Sequence, residues 1–274
     1  MKQYIVNAFT NRPFEGNPAA VCIMERWPSD GLMMNIAAQN NLSETAFVVL
    51  EQDEPDADGN PSTGYHFHLR WFTPTEEVGL CGHATLAAAY VILNHYMTRT
   101  ESVEFVTEAG KVSVRRMGMY YELSFPKIDA TPIEVEDEMV EALGIVPKEV
   151  LLGLDLVCVF ECAEEVRNCH PNQELLKSLP GRMVHVTAPG TTYTCHTRSF
   201  GPKIGIAEDP VCGSAYCQVA PYWSEGCGKP IIIASQDSAR GGRLMCTVEK
   251  EHVKIAGEAR LFAVSELMIE DLDL

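Results

Sequence analysis

Two short segments of the sequence carry the same set of chemically useful residues. Residues 77–84 and 208–215 both read E-x-x-x-C-G-x-A, and their cysteines, Cys81 and Cys212, lie about half a chain length apart. Small and apolar residues follow each segment, which predicts a buried helix that begins at the Cys-Gly pair. Such a helix start leaves backbone N–H groups free at the positive end of the helix dipole. Two such starts could bind one carboxylate between two similar halves of the chain.

Three ionisable residues near these segments are candidates for acid–base chemistry. Glu44 leads directly into an apolar run, where burial would raise the pKa of its carboxyl group and suit it to proton transfer. The alternative is a capping or strand-edge glutamate that faces water. His83 titrates near physiological pH, and Asp209 can orient a partner or relay a proton. The pair Asp209-Pro210 is also a common start of a turn.

The thiols of Cys81 and Cys212 form a second candidate pair. A thiol at a helix N-terminus has a lowered pKa, so the two could act as acid and base on opposite faces of a substrate. The alternative is that both are small buried hydrophobes, as we expect for most of the other cysteines of the chain. Cys-x-x-Cys is absent, and His66 and His68 lie in an alternating strand pattern without a second ligand pair. We therefore predict no metal site.

Charge and hydropathy narrow the possible partners. The net charge of −17 argues against nucleic acid, because phosphate binding needs a basic surface. A small anionic substrate would need a local positive potential, for which the helix N-termini are the expected source. No apolar run is long enough to cross a bilayer, and the first residues lack the pattern of a secretory signal. These features predict a cytoplasmic protein without a membrane partner.

The elements that must position these residues are mostly strands. Short runs rich in Val, Ile, Phe and Tyr predict strands at residues 2–9, 19–24, 45–50, 65–72, 102–106, 111–115 and 120–125. A helix is predicted at residues 31–39, in addition to the two that follow Cys-Gly. Strict strand–helix alternation and a G-x-G-x-x-G helix start are both absent, which argues against a doubly wound nucleotide-binding fold. A stretch rich in proline and acidic residues marks the boundary between the halves near residue 131.

Longer motifs surround these residues, and they occur in this order: FTNRPFEGNPAAV, NLSETAFVV, LRWFTPTEEVGLCGHATLAAA, EDPVCGSAYC and QDSARGG. Together they resemble the PhzF family of phenazine-biosynthesis-like isomerases over nearly the whole chain. The resemblance implies the α+β diaminopimelate epimerase fold, with two pseudo-symmetric lobes that each have a curved sheet around a central helix. The repeat and the stretch near residue 131 predict an N-terminal lobe of residues 1–126 and a C-terminal lobe of residues 127–261. The resemblance implies in addition that residues 262–274 complete the N-terminal lobe and that the protein is a homodimer.

The resemblance also implies roles for individual residues, without any cofactor. Glu44 would abstract and return a proton on a cyclic dienoic acid and so shift a double bond. His83 and Asp209 would hold or protonate the substrate. The substrate would be bound by a further set of residues: Asn17, Gly82, Gly213 and Ser214.

Related epimerases and racemases place a catalytic cysteine before glycine at the positions of Cys81 and Cys212. The sequence therefore combines the PhzF glutamate with two thiols. His83-Ala84 replaces the Asn-Gly of the epimerases, which argues against an amino-acid epimerase, and Tyr216 replaces a histidine of many relatives. Three functions stay open: a Glu44-dependent isomerase of a small unsaturated carboxylic acid, a two-thiol epimerase or racemase, and a catalytically silent binding or scaffold protein.

Overall fold

The computed structural model describes residues 1–52, 65–108 and 110–269 of a chain that forms two compact units. The first unit comprises Met1–Pro13, Pro18–Leu123 and Glu258–Leu274. The second unit comprises Phe14–Asn17 and Ser124–Gly257. Residues 270–274 of the segment predicted to complete the N-terminal lobe lie outside the described residues.

Strands supply most of the regular structure. In chain order they are β1 (Lys2–Ala8), β2 (Asn17–Met24), β3 (Glu44–Gln52), β4 (Tyr65–Phe72), β5 (Glu77–Val78), β6 (Ser102–Thr107), β7 (Gly110–Met117), β8 (Tyr120–Pro126), β9 (Thr131–Ile133), β10 (Glu149–Leu152), β11 (Leu156–Val159), β12 (Val184–Pro189), β13 (Cys195–Gly201), β14 (Ile206–Asp209), β15 (Ile231–Gln236), β16 (Gly242–Val248) and β17 (His252–Glu266). All the predicted strands are present, with ends that differ by only a few residues.

The helices of the described residues are fewer and mostly short. They are α1 (Asp30–Asn40), α2 (Gly82–Val91), α3 (Asp137–Leu143), α4 (Ala163–Asn168), α5 (Gln173–Leu176) and α6 (Tyr216–Cys227). A π-helical turn, Ile92–Tyr96, continues α2, and a 3₁₀ turn, Pro202–Ile204, precedes β14. None of these helices has the length and apolar character needed to span a membrane.

Several strands of the first unit pack on helix α2. Strand β2 runs parallel to β3, β3 is antiparallel to β4, and β6, β7 and β8 form the predicted meander. Strand β1 pairs with the C-terminal part of β17, from Lys2 opposite Glu266 to Ala8 opposite Ala259. Strands β1, β3 and β7 all contact α2. Residues 84–91 of α2 are apolar on almost every side of the helix, which is the pattern of a helix that is contacted by several strands.

The second unit has its own set of paired strands and its own apolar core. Strand β11 runs parallel to β12, β13 runs parallel to β15, and antiparallel pairs join β12 to β13 and β15 to β16. Helix α6 packs on β15 and β16, while α4 packs on β12 and β13. A cluster of buried apolar side chains that includes Leu143, Phe160 and Phe200 lies between the short helices and the sheet. The mixed sheets with few helices confirm the predicted α+β class.

One predicted helix start is wrong by a turn. Helix α2 begins at Gly82 with Cys81 as its N-cap, as predicted, but α6 begins only at Tyr216. The backbone N–H groups of Tyr216 and Cys217 bond to the carbonyls of Gly213 and Ser214, three residues back. These short hydrogen bonds close a tight 3₁₀-type turn before the α-helical pattern starts. Gly213 therefore lies in this turn and Cys212 directly before it, so the second Cys-Gly pair precedes the helix.

The cysteines are free thiols, and most of them are buried. Burial agrees with the prediction that they pack as small hydrophobic side chains. Cys162 and Cys227 are exposed. Cys162 is the N-cap of α4, and Cys227 is the last residue of α6, so both lie at helix ends.

Gly181 is a position where the second unit requires glycine. Its φ is +80°, and a Cβ atom there would lie 2.7 Å from the backbone N of Leu156. Gly181→Ala should therefore lower the free energy of unfolding by about 2 kcal/mol or more, because the positive φ and the backbone clash add. Urea unfolding followed by circular dichroism measures this effect.

Gly205 provides a matched control for this prediction. Its φ is +77°, but no atom lies within 4 Å of the position of its Cβ. Gly205→Ala should cost only the strain of the positive φ, about 1 kcal/mol. Equal stabilities of the two variants would contradict the clash at Gly181.

Candidate functional site

The first unit brings three predicted site residues together. Glu44 is the first residue of β3, Cys81 is the N-cap of α2, and His83 is the second residue of α2. Oε2 of Glu44 lies 3.1 Å from Nε2 of His83, and Sγ of Cys81 lies 3.4 Å from Nδ1 of the same ring. All three side chains are buried. We call these residues the carboxylate–imidazole–thiol cluster.

Local sequence places Glu44 at the start of its strand. Helix α1 is capped at its beginning by Ser29, whose hydroxyl accepts a hydrogen bond from the N–H of Leu32. The helix ends at Asn41, which adopts the left-handed conformation with a φ of 49° that asparagine tolerates. The chain then turns into β3 within three residues, and Glu44 is therefore held at a strand end beside the N-terminus of α2.

The close pair of Glu44 and His83 has unused hydrogen-bonding capacity. Although Oε2 and Nε2 are 3.1 Å apart, their alignment is not that of a hydrogen bond, and neither atom has another hydrogen-bond partner among the described residues. Buried polar atoms almost always have such a partner. An arrangement of this kind leaves both groups able to bond to a bound molecule, so it suits proton transfer.

The pKa values of this pair differ from the sequence-based expectation. Burial raises the pKa of Glu44, but the positive charge of His83 and the polar contacts with His83 and Cys81 together lower it by more, so the net pKa lies below its ordinary value. The prediction of a raised pKa for Glu44 is therefore wrong. For His83, burial lowers the pKa, but its acidic neighbours Cys81 and Glu44 raise it well above its ordinary value. The pair is thus a carboxylate beside an imidazolium near neutral pH.

Both candidate thiols have raised rather than lowered pKa values. Burial is the largest cause for each, and the carboxylate of Glu44 adds to it at Cys81, as that of Asp209 does at Cys212. The expected lowering by a helix N-terminus is wrong because burial and a neighbouring negative charge both disfavour the thiolate. Both cysteines are therefore thiols near neutral pH.

The amide groups at the start of α2 are open to a ligand. No side chain caps this helix, and the N–H groups of Gly82 and His83 make no hydrogen bond to any described residue. They can therefore bind an anion next to the carboxylate–imidazole–thiol cluster. The ligand atoms of Glu44, Cys81 and His83 also lie within 4.8 Å of one another, close enough to coordinate a zinc ion. The absence of a metal site stays a prediction.

The second unit holds the other predicted site residues. Oδ1 of Asp209 accepts hydrogen bonds from Nδ2 of Asn17, at 2.8 Å, and from the backbone N of Val211, at 3.1 Å. Asn17 is buried and also donates to the carbonyl of Val211. The structure thus joins Asn17 to Asp209 and orients that carboxylate at the end of β14.

The turn before α6 joins the remaining predicted residues. Sγ of Cys212 lies 3.4 Å from Oγ of Ser214, and the backbone N–H groups of Gly213 and Ser214 make no hydrogen bond to any described residue. Ser214 is exposed, whereas Cys212 and Gly213 are buried. The turn therefore presents a hydroxyl group and two open amide donors.

The sequence analysis missed the charged residues behind this turn. Nη2 of Arg182 lies 3.4 Å from Oγ of Ser214, and the guanidinium group forms an ion pair with the buried carboxylate of Asp155. His185 bonds to the same carboxylate. No motif marks these residues. The available signals were an aspartate before the apolar run of β11 and an arginine after the glycine that precedes β12.

Comparison with known proteins places this chain among isomerases. Residues 6–264 match the PhzC-PhzF family, described as phenazine biosynthesis-like protein. The chain is 43% identical to an uncharacterized isomerase of Pseudomonas aeruginosa over 265 residues, which cover 96% of this chain and 97% of the relative. It is 42% identical to a PhzF-family phenazine biosynthesis protein of Enterococcus faecalis, with a TM-score of 0.91 and coverage of 98% of this chain and 99% of that structure.

A more distant structure shares the fold alone. It is a probable proline racemase of Agrobacterium radiobacter, 12% identical, with a TM-score of 0.61 over 99% of this chain and 94% of that structure. The fold and the relatives together define an isomerase with an epimerase-type α+β architecture. The chain belongs to the PhzC-PhzF family of phenazine biosynthesis-like proteins.

Proposed function

We propose that the protein moves a proton and a double bond on a small unsaturated carboxylic acid, with Glu44 as the group that takes and returns the proton. The observation that carries this proposal is the buried pair of Glu44 and His83, whose facing atoms lack aligned hydrogen bonds. Family membership and the isomerase relatives support the reaction class. No cofactor is part of the proposed reaction.

The charge states of the pair define the steps. The carboxylate of Glu44 removes a proton from a carbon between the double bond and the carboxyl group, and the electron pair of that C–H bond is delocalised into the conjugated system. The imidazolium of His83 stabilises the negative charge that develops there. Glu44, now protonated, returns the proton to a different carbon of the same system. The double bond has then moved, and both residues have recovered their starting charges.

Backbone amides account for binding of the substrate's carboxylate. We assign this role in the first unit to the N–H groups of Gly82 and His83, which are open and lie beside the acid–base pair. Gly213 and Ser214 stay predicted carboxylate ligands, and Asn17 and Asp209 stay predicted to act on the same substrate. The homodimer and the cytoplasmic location also stay predictions.

The two-thiol mechanism has less support in this structure. A cysteine that takes a proton from carbon must first be a thiolate. Burial and neighbouring carboxylates raise the pKa of both Cys81 and Cys212, so neither thiolate is favoured near neutral pH. Glu44, whose pKa is lowered, is the better base under the same conditions.

The dependence of the rate on pH tests the proposal. We expect proton exchange to need ionised Glu44 and protonated His83. Because the pKa of Glu44 is lowered and that of His83 is raised, kcat/KM should fall only below about pH 4.5 and again well above about pH 6.5, with a plateau between. The measurement is uptake of deuterium from D₂O into dihydrobenzoate, a cyclic dienoic acid, followed by mass spectrometry.

Two variants show which residue causes each fall in the pH dependence of kcat/KM. His83→Gln should remove the alkaline limb, and Glu44→Gln should leave no exchange to measure above the background. A rate that instead rises with pH toward the range in which buried thiols ionise would contradict the glutamate mechanism and favour the thiols.

A further inference from the structure

The guanidinium group of Arg182 is held rigidly beside the turn that precedes α6. Its Nε and Nη2 atoms donate to the two carboxylate oxygens of Asp155, at 3.1 and 3.0 Å. Nη2 also lies 3.4 Å from the hydroxyl oxygen of Ser214. Two parallel hydrogen bonds of this kind fix the plane of the guanidinium group. Arg182 therefore presents a positive charge to Ser214 in a defined orientation.

Asp155 is itself fixed by groups other than Arg182. The buried carboxylate accepts hydrogen bonds from the backbone N of Met183 and from Nε2 of His185, at 3.0 and 3.1 Å. The other ring nitrogen of His185 lies 3.1 Å from Oγ of buried Ser199. With so many donors around it, the pKa of Asp155 lies well below its ordinary value despite burial, and it remains a carboxylate.

Arg182 keeps donors that the protein does not use. Nη1 makes no hydrogen bond to any described residue, and 39% of the side chain is exposed. Arg198 in the same unit shows the contrast, because its Nη1 donates to the carbonyls of Val166 and Cys169 while Nε and Nη2 bind Glu208. Arg198 has the contacts of a structural arginine. In Arg182, by contrast, Asp155 binds Nε and Nη2, while Nη1 is available to a ligand.

We propose that Arg182 binds a small carboxylate anion beside Ser214, and that Asp155 and His185 are positioning residues that hold the guanidinium group in place. The open donors of Arg182, Gly213 and Ser214 match the acceptor oxygens of a carboxylate. In a chain of net charge −17, a fixed cation also supplies the local positive potential that an anionic ligand needs.

Binding of benzoate and benzamide tests this proposal. Both are planar and of similar size, but only benzoate carries a charge. In the ¹⁵N-labelled protein, benzoate should shift the Nε–Hε signal of Arg182 and the amide signals of Gly213 and Ser214 saturably, and benzamide should not shift the Arg182 signal. Arg182→Gln should raise the Kd for benzoate about tenfold or more, since a charged hydrogen-bonded contact is lost. Its Kd for benzamide should not change.

Three further variants complete the experiment. Arg243→Gln removes one positive charge from an exposed position of the same unit and should leave the benzoate Kd unchanged. Arg182→Lys keeps the positive charge but not the two parallel hydrogen bonds to Asp155. It should still bind benzoate more tightly than Arg182→Gln, whatever its effect on the stability of the protein. Asp155→Asn keeps Arg182 but releases one of its constraints, so the preference for benzoate over benzamide should fall several-fold.

Two outcomes would overturn the proposal. One is a benzoate Kd in Arg182→Gln equal to that in Arg243→Gln, and the other is no saturable shift of the wild-type Arg182 signal at tens of millimolar benzoate. Benzoate binding needs no proton transfer, so the Glu44→Gln protein should keep its Arg182-dependent affinity. If that variant also kept full deuterium exchange, the proposed function would fail while the assignment of Arg182 stood.

Discussion

Replacement of Glu44 with glutamine is expected to lower kcat/KM for deuterium uptake into dihydrobenzoate by at least ~10²-fold. Glutamine has nearly the same shape but cannot accept a proton from carbon. It also removes one of the two neighbours, Cys81 and Glu44, that raise the pKa of His83, so the imidazolium near the reacting carbon is less favoured as well. Mass spectrometry of the recovered acid, at a pH on the plateau of the wild-type profile, measures the loss.

Glu51 offers a matched control on the same strand. Its Oε2 lies 2.9 Å from Nε2 of His68, so it also pairs with a histidine, but 65% of its side chain is exposed. Glu51→Gln should leave kcat/KM within a factor of about two, because an exposed ion pair contributes little. The paired thiol variant, Cys81→Ala with Cys212→Ala, should lose far less activity than Glu44→Gln. The opposite order would transfer the proton chemistry to the thiols.

Replacement of Asp155 with alanine is expected to lower the free energy of unfolding of the second unit by about 3 kcal/mol near neutral pH. The substitution leaves the guanidinium group of Arg182 and the backbone N of Met183 without their acceptor. The value is at the lower end for a broken buried pair because Arg182 is partly exposed. Urea unfolding followed by circular dichroism measures it.

The pH dependence of this effect has a definite sign. The pKa of Asp155 is lower in the folded protein than in the unfolded chain, so its contribution is complete above the unfolded pKa of about 3.9. The difference between wild type and Asp155→Ala should therefore shrink as the pH falls below about 4. Asp129→Ala is the control, since 85% of that side chain is exposed and its pair with Lys127 contributes about 1 kcal/mol or less. Equal losses for the two variants would contradict a structural role of the Asp155 network.

Most of the fold was predictable because its signals are local. The alternation of apolar and polar residues in Tyr65–Phe72 is the pattern of a strand with two different faces, and β4 has these bounds. Helix α1 was predicted to within one residue at each end, where Ser29 and Asn41 act as caps. The start of α6 was not, because the turn at Gly213 and Ser214 depends on 3₁₀ hydrogen bonds that leave no distinct sequence pattern.

By itself, the sequence determined the family, the α+β class and the identities of Glu44, Cys81 and His83, since motif residues and periodicities are properties of the chain alone. Only the tertiary structure decided their chemistry. Burial and neighbouring charge set a pKa, and both depend on atoms brought together by folding. For that reason the lowered pKa of Glu44 and the raised pKa of Cys81 oppose what their sequence positions suggested. The pairing of Arg182 with Asp155 likewise exists only because β11 and β12 run side by side.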